Sequence, residues 1–197
     1  MGVFDVVNFI RAQVVNFWLA PKSKHTLAEL MRYAPSGTRE EWREKALDQA
    51  KGHLLSMMER LVEAGENDRL AKLTESTSDV ALEGLSHVVA EPAAELLEST
   101  HPFLAARLWR AQALRIVNAA KIKYYEAAID NLERARDCFS QAGLDAEWEK
   151  TALEISRAHA RKQGFIREFA SVVRGERIAR LSFLEVAMAK WKNRKTQ

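Results

Sequence analysis

The fold this sequence predicts is all-α, with stacked antiparallel helical hairpins forming an α-solenoid-like array. Three observations predict it. Apolar residues recur at three- and four-residue spacings through most of the chain, the period of one helix face. Four prolines and eight glycines stand against abundant Ala, Leu, Glu, Lys and Arg, which favour helices. Several of those glycines and prolines sit at the ends of periodic segments, where helices start and stop. A chain of 197 residues can bury the core of one domain or one elongated array, so a single helical domain over 1–197 is expected.

Gly2 to Ala20 is the most apolar stretch. Val3, Phe4, Val7, Ile10, Val14, Phe17 and Trp18 cover a broad helix face, with Asp5, Asn8, Arg11 and Asn16 on a narrower polar one. Asp5 and Arg11 would each cost about 3 kcal/mol at a bilayer centre, so no membrane insertion is expected. The early acid and the absence of a basic start argue against a secretory leader. A single arginine is little for an interfacial membrane helix. The segment reads as a core or capping helix, the alternatives being a surface for homo-oligomers or a membrane contact. Its β-branched content also allows a strand. Pro21 ends it.

Thr26 to Ala34 is a brief helix before Pro35-Ser36-Gly37. Thr38 and Glu41 resemble a capping box, opening one long helix from Arg39 to Ala64. Trp42, Ala46, Gln49, His53, Leu54, Met57, Met58, Leu61 and Val62 trace its inner side, and Gly65 closes it. A short helix from Arg69 to Thr74 follows. Thr77-Ser78-Asp79 caps another through Val80, Leu82, Leu85, Val88 and Val89. Glu91-Pro92 then starts one over Ala93 to Thr100.

His101 to Gly143 organises the rest as a helical hairpin. Pro102 suits a first helical turn, where its missing N–H would be unpaired anyway. Ala106, Trp109, Ala113, Ile116, Val117 and Ala120 share one side of the first helix, and Leu104, Leu108, Ala111 and Leu114 form a second strip. A helix apolar on two sides packs between two neighbours. On the second helix Tyr124, Ala128, Leu132, Ala135, Phe139 and Ala142 make one stripe. Asp130 and Arg134 form an i,i+4 pair on its solvated face, and Gly143 suits the positive φ of a helix end. Asp145 caps a helix aligning Trp148, Ala152, Ile155 and His159, which Gly164 ends. Phe165 to Val173 is one more helix, completing an array over 39–173. A C-terminal helix and basic tail occupy 176–197.

Tyr125, Ala128, Leu132 and Ala135, spaced Tyr-x-x-Ala-x-x-x-Leu-x-x-Ala, resemble the second half of a tetratricopeptide repeat, which makes the array tetratricopeptide-like. No second copy of that spacing follows at that period. Three further stretches are WREKAL (Trp42–Leu47), HPFLAARLWRAQALRIVNAAKIKYYEAAIDNLERARDCF and AGLDAEWEKTALEISRAHARKQGF. Together they resemble the helical region that follows the zinc finger in prokaryotic SWIM-type zinc-finger proteins. The resemblance spans Trp42 to Phe165 and implies a helical fold without implying an activity. The finger itself needs Cys-x-Cys followed by Cys-x-His, and Cys138 is the single cysteine here. Its metal and DNA roles therefore do not carry over.

One cysteine excludes an internal disulfide framework and fits a reducing, cytoplasmic setting. Cys138, beside the apolar stripe, reads as structural. Histidines 25, 53, 87, 101 and 159 are scattered, and none is read as half of a His-x-x-x-His or Glu-x-x-His pair on one helix face. His159 reads as a hydrogen-bonded core residue. No Gly-rich phosphate loop, Gly-x-Ser-x-Gly elbow or cysteine–histidine motif appears. Glu40/Glu41 and Glu147/Glu149 lie on helices rich in Lys and Arg and read as surface charge. No enzyme activity, cofactor or metal is expected.

Charge is unevenly divided. Residues 1–100 carry 11 Lys and Arg against 16 Asp and Glu, and residues 101–197 carry 19 against 11. Such halves attract one another or present a basic surface to an acidic partner. The candidate binding residues are Arg107, Arg110, Arg115, Lys121 and Lys123, with Tyr124 and Tyr125 beside them. Arg161 and Lys162 join them across the array, with Arg157 and Arg167 nearby. Cations with nearby aromatics can hold phosphates or acidic peptides. Alternatively these arginines pair with acids of adjacent helices, such as Glu95, Glu98 or Glu126, and lay their stems over the core. The expected function is a non-catalytic helical scaffold that binds another protein; the alternative is a nucleic-acid-binding accessory protein using the basic C-terminal half.

Overall fold

The structure, a computed structural model, describes residues 39–176 together with Arg32 and Gly37. The expectations for Gly2–Ala20, for the helix before Pro35 (apart from Arg32, which is helical) and for the segment after Glu176 fall on residues outside it. Over 39–176 the chain forms nine α-helices and no strand. They are α1 (Arg39–Ala50), α2 (Leu54–Ala64), α3 (Asn67–Ser76), α4 (Asp79–Glu83), α5 (His87–Glu98), α6 (Pro102–Asn118), α7 (Tyr125–Gln141), α8 (Asp145–Ala158) and α9 (Gln163–Val173). A 3-10 turn, Ile122–Tyr124, joins α6 to α7.

The long helix expected over 39–64 is two. Gly52 has φ +89°, a conformation that costs most side chains more than it costs glycine, and the chain turns there between α1 and α2. The helix expected through Val89 is likewise broken at Gly84–Ser86. Ser78 caps short α4, its Oγ accepting from the Ala81 amide at 3.3 Å, and α5 begins afresh at His87. Pro92 lies inside α5 rather than at a start. It removes the N–H that would bond the Val88 carbonyl, and Val88 lies at the exposed edge of the helix. α3 runs longer than expected. Leu144, not Asp145, occupies the cap position of α8, and Gly164 belongs to the first turn of α9 rather than ending α8.

The central hairpin is α6 and α7, the most extensively packed pair. Phe103 at the start of α6 meets Phe139 near the end of α7 with ring centroids 6.0 Å apart, so the two run antiparallel. Both strips of α6 are used. Ala105, Ala106, Leu108, Trp109, Ala111, Ala113 and Val117 are essentially inaccessible, and the helix packs against α3, α4, α5 and α7. Ala120 departs from its expected place on the stripe: it is exposed, beyond the helix end, at φ +53°. On α7, Ala128, Leu132, Ala135 and Phe139 are buried as expected. The stripe begins with Tyr125 rather than Tyr124, which is 46% exposed in the 3-10 turn. Gly143, at φ +70°, ends this helix as its position predicts.

Aromatic side chains tie on the last two helices. Trp148 of α8 contacts Phe139 and Phe169, and Phe165 stacks on Phe169 at 5.4 Å. Phe165 also meets Tyr125 at 5.7 Å. The start of α9 therefore lies beside the start of α7. One continuous buried cluster runs from Leu47 to Val172, which makes the described helices an all-α array on a shared core.

Candidate functional site

The seven candidate cations divide into two groups. Arg107 and Arg110 leave adjacent turns of α6 toward the α3–α4 connection. Arg107 donates through Nε and Nη2 to the Asp79 carboxylate at 3.0 and 2.8 Å, and to the carbonyls of Thr74 and Thr77 at 2.9 and 2.7 Å. Arg110 bonds the other Asp79 oxygen. Both guanidiniums are largely covered, with 14% and 18% of their side chains exposed. Burial alone would raise the Asp79 pKa, but the Arg107 hydrogen bond and both arginine charges outweigh it and hold the carboxyl below its ordinary value. The two arginines clamp the end of α3, whose last carbonyls have no partner of their own within the helix.

Lys162 is also structural. Its Nζ donates to the Val117 carbonyl at the end of α6, where a cation suits the negative end of the helix dipole. This bond brings the α8–α9 turn against the α6–α7 turn.

The other four candidates face solvent. Lys121, Lys123 and Arg161 are exposed on these two adjoining turns, and Arg115 is exposed in the last turn of α6. Arg115 leaves the helix about 160° round from Val117, on the opposite flank. Lys123 Nζ lies 4.7 Å from the centroid of the Tyr124 ring, and Ile122, between the two lysines, is 75% exposed. Among the described residues, Arg115, Lys121 and Arg161 form no ion pair or side-chain hydrogen bond.

Arginine–acid pairing between helices does occur, with other partners than those expected. Glu95 and Glu98 are taken by Arg134, at 3.1 and 3.0 Å, so Arg134 reaches out of its own helix. Its guanidinium lies 3.8 Å over the Trp109 ring, and Trp109 Nε1 donates to Glu98 at 2.8 Å. Glu98 and His101 do have the Glu-x-x-His spacing, but they belong to two elements. Glu98 ends α5 and serves Trp109 and Arg134, while His101 precedes α6 with its Nδ1 3.0 Å from Thr100 Oγ1. No group of three or more His, Cys, Asp or Glu that could hold a metal occurs among the described residues. Cys138 is buried, and burial first, then the Glu98 charge, pushes its thiol up to about 11. His159 packs edge-on against Phe165 at 6.0 Å; burial, then Lys162, lowers its pKa.

A feature that periodicity did not announce is a cleft of about 650 Å³ at the other end of the hairpin. Ala71 of α3, Phe103 and Leu104 of α6, and Ala142 and Leu144 after α7 line it, together with Asp68, Lys72, Glu75 and His101. Phe103 is 40% exposed there. Its visible trace in the sequence is Phe103 itself, one position off both apolar strips of α6. No helix among the described residues is long and apolar enough to cross a membrane. Comparison of the chain with protein-family models, curated proteins and solved structures finds no match to any of them.

Proposed function

We propose that the protein is a non-catalytic helical scaffold that binds another protein in the cleft between α3, the start of α6 and the end of α7. The observation that carries this reading is the cleft itself: a concave surface lined by apolar and charged side chains, on helices held by a buried core. Peptide segments and helices dock in such grooves by seating apolar anchors. Half-exposed Phe103, braced by Phe139, is the residue such an anchor would meet. The likeness of 42–165 to a helical region without an assigned activity is in keeping with a binding role. A photo-crosslinking amino acid at Phe103, used in lysate of the source organism, should capture one discrete protein. The charge reversal Lys72→Glu with Glu75→Lys should remove that adduct. No adduct, or the same adducts from a crosslinker at exposed Leu153 on α8, would overturn the assignment.

A further inference from the structure

A second surface lies at the opposite end of the hairpin, about 25 Å from the cleft along helices of 17 residues. It centres on the tetrapeptide Lys121-Ile122-Lys123-Tyr124. All four side chains are exposed, and the Lys162–Val117 bond holds the α8–α9 turn, which carries exposed Arg161, against the end of α6 that leads into them. We propose that this turn binds single-stranded nucleic acid, with the lysines and Arg161 on successive phosphates and the Tyr124 ring as a platform for a base.

Three features favour this ligand. Lys121 and Arg161 form no ion pair among the described residues, so a polyanion meeting them would displace only loosely held counterions, while Lys123 would leave the face of the Tyr124 ring to meet phosphate. The half-exposed Tyr124 ring supplies a π-surface, which every base can use whatever its sequence. The surface is one short 3-10 turn leading into α7, and its cations lie on that turn rather than along a helix of the kind that enters a duplex groove. Against a lipid surface, Ile122 is a lone aliphatic side chain on a turn rather than the apolar face of an amphipathic helix. Against Arg107 and Arg110 as phosphate ligands, both are spent on Asp79 and the end of α3. Reversing their charge would test the fold, not the site.

The test is fluorescence anisotropy of the full chain with labelled oligodeoxythymidylate and oligouridylate. Binding should weaken on the order of 30-fold between 50 and 200 mM salt, as release from three or four phosphates requires. Lys121→Glu with Lys123→Glu should reduce affinity at least tenfold, and Lys121→Arg with Lys123→Arg should keep it. Tyr124→Ser should lose about tenfold through stacking. Circular dichroism and melting of each variant should match the parent, because these side chains are in solvent. No binding at 50 mM salt, or binding that the double reversal leaves unchanged, overturns the proposal. So does tighter binding of a duplex of equal length. Binding to phosphatidylserine vesicles that Ile122→Ser abolishes, with none to the oligonucleotides, would assign the turn to membranes instead. Because cleft and turn lie at opposite ends, the Lys72/Glu75 reversal should leave oligonucleotide binding intact.

Discussion

At the scale of single residues, Trp109 joins burial and hydrogen bonding in one side chain. It is 1% exposed, donates to Glu98 and carries Arg134 on its face. Trp109→Ala should destabilise by about 3–5 kcal/mol, measured by urea unfolding; an unchanged midpoint would refute the core role. Asp79 makes a prediction in pH. Its folded carboxyl titrates below its ordinary value of about 4, so the unfolded chain takes up the proton first. The stability from the clamp is therefore present above about pH 4 and lost as pH falls through the folded value. Asp79→Asn should lower the urea midpoint at pH 7, and the gap to the parent should close below about pH 4. A gap that does not narrow as pH falls below about 4 would mean the clamp works without that charge. Cys138, with its thiol at about 11, should react with iodoacetamide at pH 8 only as fast as the chain unfolds; rapid alkylation of the native protein would contradict its burial. The candidate cations were legible as a class, since helical spacing put Arg107 and Arg110 beside an apolar strip. Their partner was not. Asp79 lies 28 and 31 residues away, and such pairs depend on how three helices meet, which no local pattern encodes.

Elements were legible wherever one apolar stripe ran to a glycine or proline in the expected place. The α6–α7 hairpin, Pro102 at its start and Gly143 at its end satisfy that condition. The failures share a cause. Between Arg39 and Ala64, and between Val80 and Val89, the apolar spacing continues across the break, because buried residues on both sides line one core. Gly52 and Gly84 fall inside those expected helices, and the chain turns at each. The connections before and after α7 offer a test of opposite signs. Ala120 holds φ +53°, where an L-residue is strained by roughly 1–2 kcal/mol, and Gly escapes that strain at a smaller entropic cost. Ala120→Gly should stabilise by about 0.5–1 kcal/mol, whereas Gly143→Ala should cost about 1 kcal/mol. Calorimetry should place the two melting temperatures on either side of the parent, separated by roughly 5 °C. Both falling on the same side would show that the turns do not hold these conformations in solution.

For the whole molecule, the arrangement departs from a strictly linear repeat, in which each unit touches only the next. α6 packs on α3, α4, α5 and α7, and α2 on α5, so the middle of the chain is tied to segments well before it. The Arg107 clamp on the end of α3 and the Arg134 bridge to α5 reinforce those ties. Periodicity could not foresee this: a helix with two apolar strips must have two neighbours, but nothing in the strips names them. The consequence is unequal local stability. α6 has no route to opening that spares its neighbours, because Leu108, Trp109, Ala113 and Val117 are sealed on every side. α8 packs mainly on α7 and α9 and leaves Leu153 and Glu154 in solvent. Its detachment would expose Trp148, Thr151, Ala152 and Ile155 and uncover the Phe139 and Phe169 rings that Trp148 meets, leaving the central hairpin in place. Native-state hydrogen exchange should therefore give α6 amides from Leu108 to Val117 the free energy of global unfolding, with the same denaturant slope as the urea transition. The amides of α8 should exchange through a smaller opening with a shallower slope. Equal free energies in the two helices would mean that α8 belongs to the same cooperative unit as the central hairpin, and that the aromatic contacts of Trp148 with Phe139 and Phe169 bind it more tightly than its one buried face suggests.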